Sequence, residues 1–277
     1  MSFPMKGALF VFGIKNGVIA LEGDTMDYIR FGRGRKSLVM LPGLGDGLVT
    51  VKGKALAMAF LYRAFSREYT VFMFSRKNHL PAGATTRDMA HDLKKAMDIL
   101  GIDRADLVGV SMGGMIAQHF CIDYPEKVNK LALVVTCAEP NPVLTESVND
   151  WISLARARDH AAFMDSNLRR IYSDAYYRKN KWLVPVIGKL TKPKSYERFL
   201  IQANACLTHD ASGGLHKIQA PALIIGGEKD CALGAEASRA LAAKIPGAKI
   251  RMYPEWGHGL YEEAKDFQKA ILDFLRN

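Results

Sequence analysis

The chain has 277 residues, 49% of them apolar, and carries 38 Lys or Arg against 28 Asp or Glu, a net charge of +10. That suffices for one large α/β domain with an insertion and a sizeable core. No apolar run nears the roughly 20 residues of a membrane span. The apolar stretch Ala8-Leu9-Phe10-Val11-Phe12 lacks a signal-peptide layout, so a cytoplasmic location is the expectation.

In chain order, Ala8 to Ile14 and Val18 to Glu22 read as strands. Lys15-Asn16-Gly17 between them reads as a hairpin turn. Met26 to Phe31 is a third short strand. The pattern then changes to buried strands alternating with helices, as in a parallel sheet. Ser37 to Leu41 is a strand running into Pro42-Gly43-Leu44-Gly45-Asp46-Gly47. A helix follows over Lys54 to Phe65, a strand over Tyr69 to Phe74 and a helix over Thr86 to Leu100. Leu107 to Val110 leads into Gly109-Val110-Ser111-Met112-Gly113, after which the periodicity is helical. Val128 to Cys137 is the next strand.

The alternation then stops at the breaker cluster Ala138-Glu139-Pro140-Asn141-Pro142. The segment to about Ile218 has helical spacing and no convincing strand. Between Trp151 and Leu200 it holds eleven Arg or Lys against four Asp or Glu. Strand rhythm resumes at Ala222 to Gly227, with a helix over Ala235 to Lys244, a strand over Lys249 to Tyr253 and a last helix over Tyr261 to Leu275. The expected division is therefore a core in two parts, 1–137 and 219–277, interrupted by a helical cap, 138–218.

Gly109 to Gly113 is a G-x-S-x-G pentapeptide at a strand-to-helix junction. Such a turn forces the serine into a strained backbone and pushes its oxygen out of the sheet edge. The helix N-terminus supplies free N–H groups beside it. Ser111 is thus a candidate nucleophile, and it needs a base and a group to orient that base. Asp230 follows one later strand and His258 follows the next. In open α/β sheets the ligand crevice lies outside the carboxyl ends of the strands, so all three loops open on one side. The chain order Ser111, Asp230, His258 suits this arrangement. Glu139 and Glu228 are weaker substitutes for the acid. The oxyanion would be held by the N–H of Met112 and an N–H from the glycine-rich turn, assigned to Leu44.

That glycine-rich turn departs from G-x-G-x-x-G and lacks a P-loop ending. Cys121, Cys137, Cys206 and Cys231 show no C-x-x-C spacing and read as buried small hydrophobes. His79, His91, His119, His160, His209 and His216 have no metal-binding spacing. We expect no metal and no cofactor.

These residues resemble the α/β-hydrolase superfamily over nearly the whole chain. Ser37 to Gly47 is similar to its oxyanion turn, Gly109 to Gly113 to its nucleophile elbow, Gly227 to Asp230 to its acid turn and Gly257-His258 to its histidine loop. The resemblance implies an α/β-hydrolase fold, with a mostly parallel central sheet flanked by helices and a helical cap between the sixth and seventh core strands. It is similar in flavour to bacterial carboxylesterases and enol-lactonases. Pro42-Gly43 stands where the family often has His-Gly, a change that leaves the Leu44 donor intact.

The expected activity is hydrolysis of an ester or thioester of a small or medium acyl group through an acyl-enzyme. An acyltransferase or lyase with the same residues, or a non-catalytic ligand-binding protein on the same fold, are the competing readings. Trp151, Ile152, Leu154, Phe163, Met164, Trp182 and Phe199 are the candidates for the acyl pocket. The basic cap suggests an acidic substrate or an acidic carrier protein as partner, and nothing accompanies it that resembles a nucleic-acid motif.

Overall fold

The computed structural model describes residues 13–277. Strands β1 (Lys15–Leu21) and β2 (Asp24–Phe31) form the opening hairpin. Its turn is Glu22-Gly23, at φ 43° and 84°, the paired positive φ that a tight hairpin turn demands. Asn16-Gly17 is therefore not the turn. It lies within β1, where Gly17 faces Tyr28 and a Cβ would strike that ring. The strand expected from Ala8 falls mostly outside the described residues.

The chain continues through β3 (Lys36–Leu41), α1 (Ala55–Leu61), β4 (Tyr69–Lys77), α2 (Thr86–Ile99), β5 (Ala105–Val110), α3 (Met112–Asp123) and β6 (Val128–Val134). Helix α2 starts where its sequence says it must: Thr85 and Asp88 cap each other's backbone N–H in a capping box. Five helices separate β6 from β7. They are α4 (Pro142–Arg156), α5 (His160–Ile171), α6 (Asp174–Asn180), α7 (Val184–Thr191) and α8 (Glu197–Leu207). Then come β7 (Ala222–Gly227), α9 (Ala235–Lys244), β8 (Lys249–Tyr253), α10 (Leu260–Glu263) and α11 (Phe267–Arg276). The last helix is thus two helices, because Ala264 leaves helical geometry at ψ 112°.

The sheet order is β1-β2-β4-β3-β5-β6-β7-β8, parallel except where β2 meets its two neighbours. Apolar side chains pack on both faces, and the central strands β3, β5 and β7 are buried almost throughout, as a parallel sheet covered by helices requires. Strand β3 lies between β4 and β5, so chain connections leave it in opposite directions. That is the topological switch point where such sheets open a crevice. Register brings Leu41 beside Gly109, Val110 beside Val134 and Gly227 beside Tyr253. The loops after β3, β5, β7 and β8 therefore meet over one sheet edge.

The inserted helices close over that edge. A Cβ on Gly47 would lie 2.7 Å from Phe199 Cα, so the turn after β3 and helix α8 touch backbone to backbone. Among the described residues no helix is long and apolar enough to cross a membrane. Cys121, Cys137 and Cys206 are buried, whereas Cys231 is exposed, contrary to the expectation for it.

Behind α3, the buried His209 shows how the fold will respond to acid. Its Nδ1 lies 2.9 Å from Thr86 Oγ1, its Nε2 has no partner among the described residues, and its ring packs edge-on against His119. Burial, reinforced by His119, pushes the imidazole down from 6.5 to about 3. The unfolded chain binds this proton more readily, so the stabilising effect is complete above pH 6.5 and is lost as pH falls toward 3. At about pH 5 the loss amounts to roughly 2 kcal/mol. Urea unfolding of wild type and His209→Gln at about pH 7 and pH 5 checks this, the variant losing less stability by roughly that amount.

Candidate active site

Ser111 stands between β5 and α3 at φ 53° and ψ −122°, a conformation costly for any residue with a side chain. The surroundings hold it there. Its N–H donates to the Val134 carbonyl at 2.8 Å, and its carbonyl accepts from the Thr136 hydroxyl at 2.8 Å. Val135, between those two partners, is itself at φ 43° and donates its N–H to Ile225. Strain at the end of β6 thus accompanies strain at the serine.

The glycines follow from contact. A Cβ on Gly109 would lie 2.6 Å from the Gly113 carbonyl oxygen, and one on Gly113 would collide with the carbonyl of Leu41. One on Gly114 would lie 2.6 Å from Thr136 Cγ2. A Cβ on Gly43 would lie 3.3 Å from Ser111 Cβ, so the glycine-rich turn sits directly beside the serine. The N–H groups of Leu44 and Met112 have no acceptor among the hydrogen bonds of the described residues.

Asp230 and His258 meet across the ends of β7 and β8. Asp230 Oδ2 accepts from His258 Nδ1 at 2.9 Å, with both side chains almost fully buried. The other oxygen, Oδ1, accepts from the N–H groups of Ala232 and Leu233 at 2.8 and 2.9 Å. Burial pushes the carboxyl up, but His258 and these two N–H groups outweigh it and hold it below the ordinary carboxylate value. Glu139 and Glu228 are elsewhere: the first pairs with Lys244 at 2.6 Å and the second with Arg239.

Ser111 and His258 line one cavity of about 420 Å³, within the range of small-molecule sites. They share no direct hydrogen bond among the described residues. Such contacts commonly tighten only when substrate arrives. Trp151, Phe163, Met164 and Phe199 line the cavity as expected, whereas Ile152 and Leu154 do not. Trp182 corrects the expectation most clearly: it is 69% exposed, on the outer face of the inserted helices. A second cavity, of about 610 Å³, lies near α1 and the end of α11 and contains none of the candidate catalytic residues.

Several cavity residues escaped the sequence reading. Lys54 lines the wall beyond the glycine-rich turn. It is half-buried at the N-cap of α1, donates only a long 3.4 Å bond to the Val49 carbonyl, and has no carboxylate partner among the described residues. Burial lowers its ammonium below the ordinary value, against the pull of Asp46. Tyr172 and Glu262 meet at the cavity, joined by a 2.7 Å hydrogen bond. Lys54 had a faint signal, a cation where a helix start prefers an acceptor or an acid.

The glycine-rich turn is anchored by a buried charge cluster. Asp46 Oδ2 accepts from Arg198 Nη2 at 2.5 Å and from the Arg76 N–H at 3.1 Å, and Arg76 Nη2 donates to the Pro42 carbonyl at 2.6 Å. Arg198 also donates to the carbonyls of Lys77 and Arg76, at 2.9 and 3.0 Å. One arginine from α8 and one from β4 therefore fix the turn that carries Leu44. Arg198→Met is expected to cost about 3 kcal/mol of stability, since it strips a buried carboxylate of one partner. On the expectation that the Leu44 N–H holds an oxyanion, it should also lower kcat by about tenfold with KM little changed, because a misplaced donor is felt most in the transition state. Denaturant unfolding and steady-state kinetics check both.

A family model described as the alpha/beta hydrolase fold matches residues 36–265. The chain belongs to this α/β-hydrolase family. Among curated relatives, the 2-hydroxy-6-oxononadienedioate/2-hydroxy-6-oxononatrienedioate hydrolase of Paraburkholderia phymatum is 29% identical, over 93% of this chain and 94% of that one. A hydrolase of the same description from Pseudomonas putida is 26% identical over 95% of each chain. The enol-lactonase of Burkholderia xenovorans superposes with a TM-score of 0.80 at 23% identity, over 94% of this α/β hydrolase and 100% of the lactonase. These curated relatives are hydrolases, which supports a hydrolytic enzyme here; the lactonase shows the shared fold.

Proposed function

We propose that this protein is a serine hydrolase that opens a small or medium acyl substrate, an ester or thioester, through an acyl-enzyme. The observation that carries the reading is the buried Asp230–His258 hydrogen bond at 2.9 Å, facing the same cavity as a serine held at φ 53°. In this reading Ser111 Oγ attacks the carbonyl and His258 Nε2 takes its proton, then returns it to the leaving group. Asp230 keeps the Nδ1 proton in place and stabilises the imidazolium. The N–H groups of Met112 and Leu44 receive the oxyanion, each worth about 3 kcal/mol in the transition state. Water repeats the cycle on the acyl-enzyme.

The substrate we favour carries a carboxylate. Lys54 lines the cavity and has no carboxylate partner among the described residues, and the two curated relatives named above are described as acting on dioates. Those substrates also carry an oxo group, so a second reading has the same serine attacking a ketone carbonyl: the Ser111 Oγ–acyl bond forms, the adjacent C–C bond breaks, and the leaving carbon keeps the electron pair and takes the proton that His258 removed from Ser111. An acidic carrier protein is not part of the proposal. Three arginines of the inserted helices, Arg169, Arg170 and Arg198, pair with Asp165, with Glu146 and Asp150, and with Asp46, and none of the three lines the cavity.

Fluorophosphonate labelling of the purified protein, beside a chain-length series of p-nitrophenyl esters, tests the acyl-enzyme. Adding the p-nitrophenyl half-ester of glutaric acid and its neutral methyl ester tests the charge. Lys54→Met should lower kcat/KM for the anionic member by about ten- to a hundredfold and spare the neutral one. Equal effects on both would remove the carboxylate from the proposal.

A further inference from the structure

The basic segment of the inserted helices is only partly absorbed by the site. From Ala175 to Tyr196 the sequence has six Lys or Arg and no Asp or Glu. The six are Arg178, Lys179, Lys181, Lys189, Lys192 and Lys194; all are exposed, and none forms an ion pair among the described residues. Trp182 and Val186 stand among them, 69% and 55% exposed.

Helical spacing puts the two apolar residues and one of the cations on one face. A short turn of helix over Lys181–Leu183 runs directly into α7, so Trp182, Val186 and Lys189 follow one another at spacings of four and three and share a side. The opposite side of α7 is the packed one, with Val184 buried and Gly188 lying against Ala161. The outer stripe is therefore apolar at its centre and cationic at both ends, with Arg178, Lys179 and Lys181 before it and Lys189, Lys192 and Lys194 after. In the chain, Asp174 at the start of α6 is the acid before this run and Glu197 the one after it, while Asp165 accepts from the Tyr177 hydroxyl at 2.9 Å.

A tryptophan and an aliphatic side chain left in water, flanked along the chain by cations that form no ion pair among the described residues, match the chemistry of a bilayer interface. There the cations meet anionic headgroups and the apolar pair enters the acyl boundary. A nucleic-acid strand would call for several free stacking rings, whereas the exposed Tyr176 is already stacked on Tyr172 at 4.3 Å and the remaining pair is one tryptophan and one valine. We propose that the outer face of α6 and α7 around Trp182 docks on an anionic lipid bilayer. The surface lies close along the chain to the cavity mouth. Tyr172 lines the cavity, and the next residue, Ser173, caps α6 and donates its hydroxyl to Glu263 at 2.6 Å. Docking would bring the cavity wall at Tyr172 toward the membrane, and it stands whether or not the serine chemistry proposed above is right.

The test uses the full chain with vesicles of phosphatidylcholine alone or with about 30 mol% phosphatidylglycerol, at about 50 and 500 mM salt. Co-sedimentation with the anionic vesicles at low salt is expected, lost at high salt and absent with phosphatidylcholine. Tryptophan emission should shift to the blue on binding, and Trp182→Ala should abolish the shift. The pair Lys181→Glu and Lys189→Glu, a change of four charges, should lower partitioning by roughly a thousandfold. These side chains are exposed, so unchanged unfolding midpoints confirm that the variants fold. No binding of the wild type at low salt overturns the proposal, as does equal binding by the charge-reversed variant. Binding to soluble polyglutamate or to a single-stranded oligonucleotide as tightly as to vesicles, without an emission shift, also overturns it in favour of an acidic macromolecule.

Discussion

Ser111→Ala is expected to lower p-nitrophenyl ester turnover by about 10⁶-fold and to abolish fluorophosphonate labelling, with little change in unfolding midpoint. Alanine keeps the backbone strain and removes only the oxygen. Ser111→Gly separates the two effects. At φ 53° and ψ −122° glycine is at ease where serine is strained, so this variant should be equally inactive and about 1 kcal/mol more stable. Loss of activity with gain of stability would mark the strain as held for chemistry. Labelling that survives in Ser111→Ala would move the ligand-binding reading to the front.

Asp230→Asn is expected to cost about 10⁴-fold in kcat with the fold retained. The asparagine carbonyl can still accept from Ala232 and Leu233, as Oδ1 does now. Its amide would then face His258 Nδ1 and donate to it. That leaves the proton on Nε2, the atom that must accept from Ser111, so the base is held in the wrong tautomer. Asp230→Ala should lose comparable activity and destabilise more, because it also strands the two buried N–H groups. The pair is measured by kcat and by urea unfolding. Equal activity of Asp230→Asn and wild type would dissolve the assignment.

The legible part of the site was the part written in local chemistry. A serine between glycines at a strand-to-helix junction announces a strained turn, because the steric need lies within five residues. The placement of Asp230 and His258 was readable for a related reason. Each follows an apolar strand, and parallel strands send their carboxyl ends to one side. The candidate acids illustrate the limit. Glu139, Glu228 and Asp230 all sit at strand ends, and only the fold turns Asp230 inward to His258 while the other two reach Lys244 and Arg239.

By itself, the sequence determined the α/β alternation and the place where it is interrupted, and it offered candidates for nucleophile, base and acid, since periodicity and junction chemistry are short-range properties. The tertiary structure decided the rest. It put the first hairpin turn at Glu22-Gly23 and not at Asn16-Gly17, because pairing with β2 uses Gly17 to make room for Tyr28. It turned Trp182 outward and Phe199 inward, although both lie in helical segments of similar composition. It also joined Arg198 to Asp46 across 152 residues of chain, fixing the turn that carries Leu44. No local pattern encodes such a contact, because its energy exists only once the inserted helices have closed over the sheet.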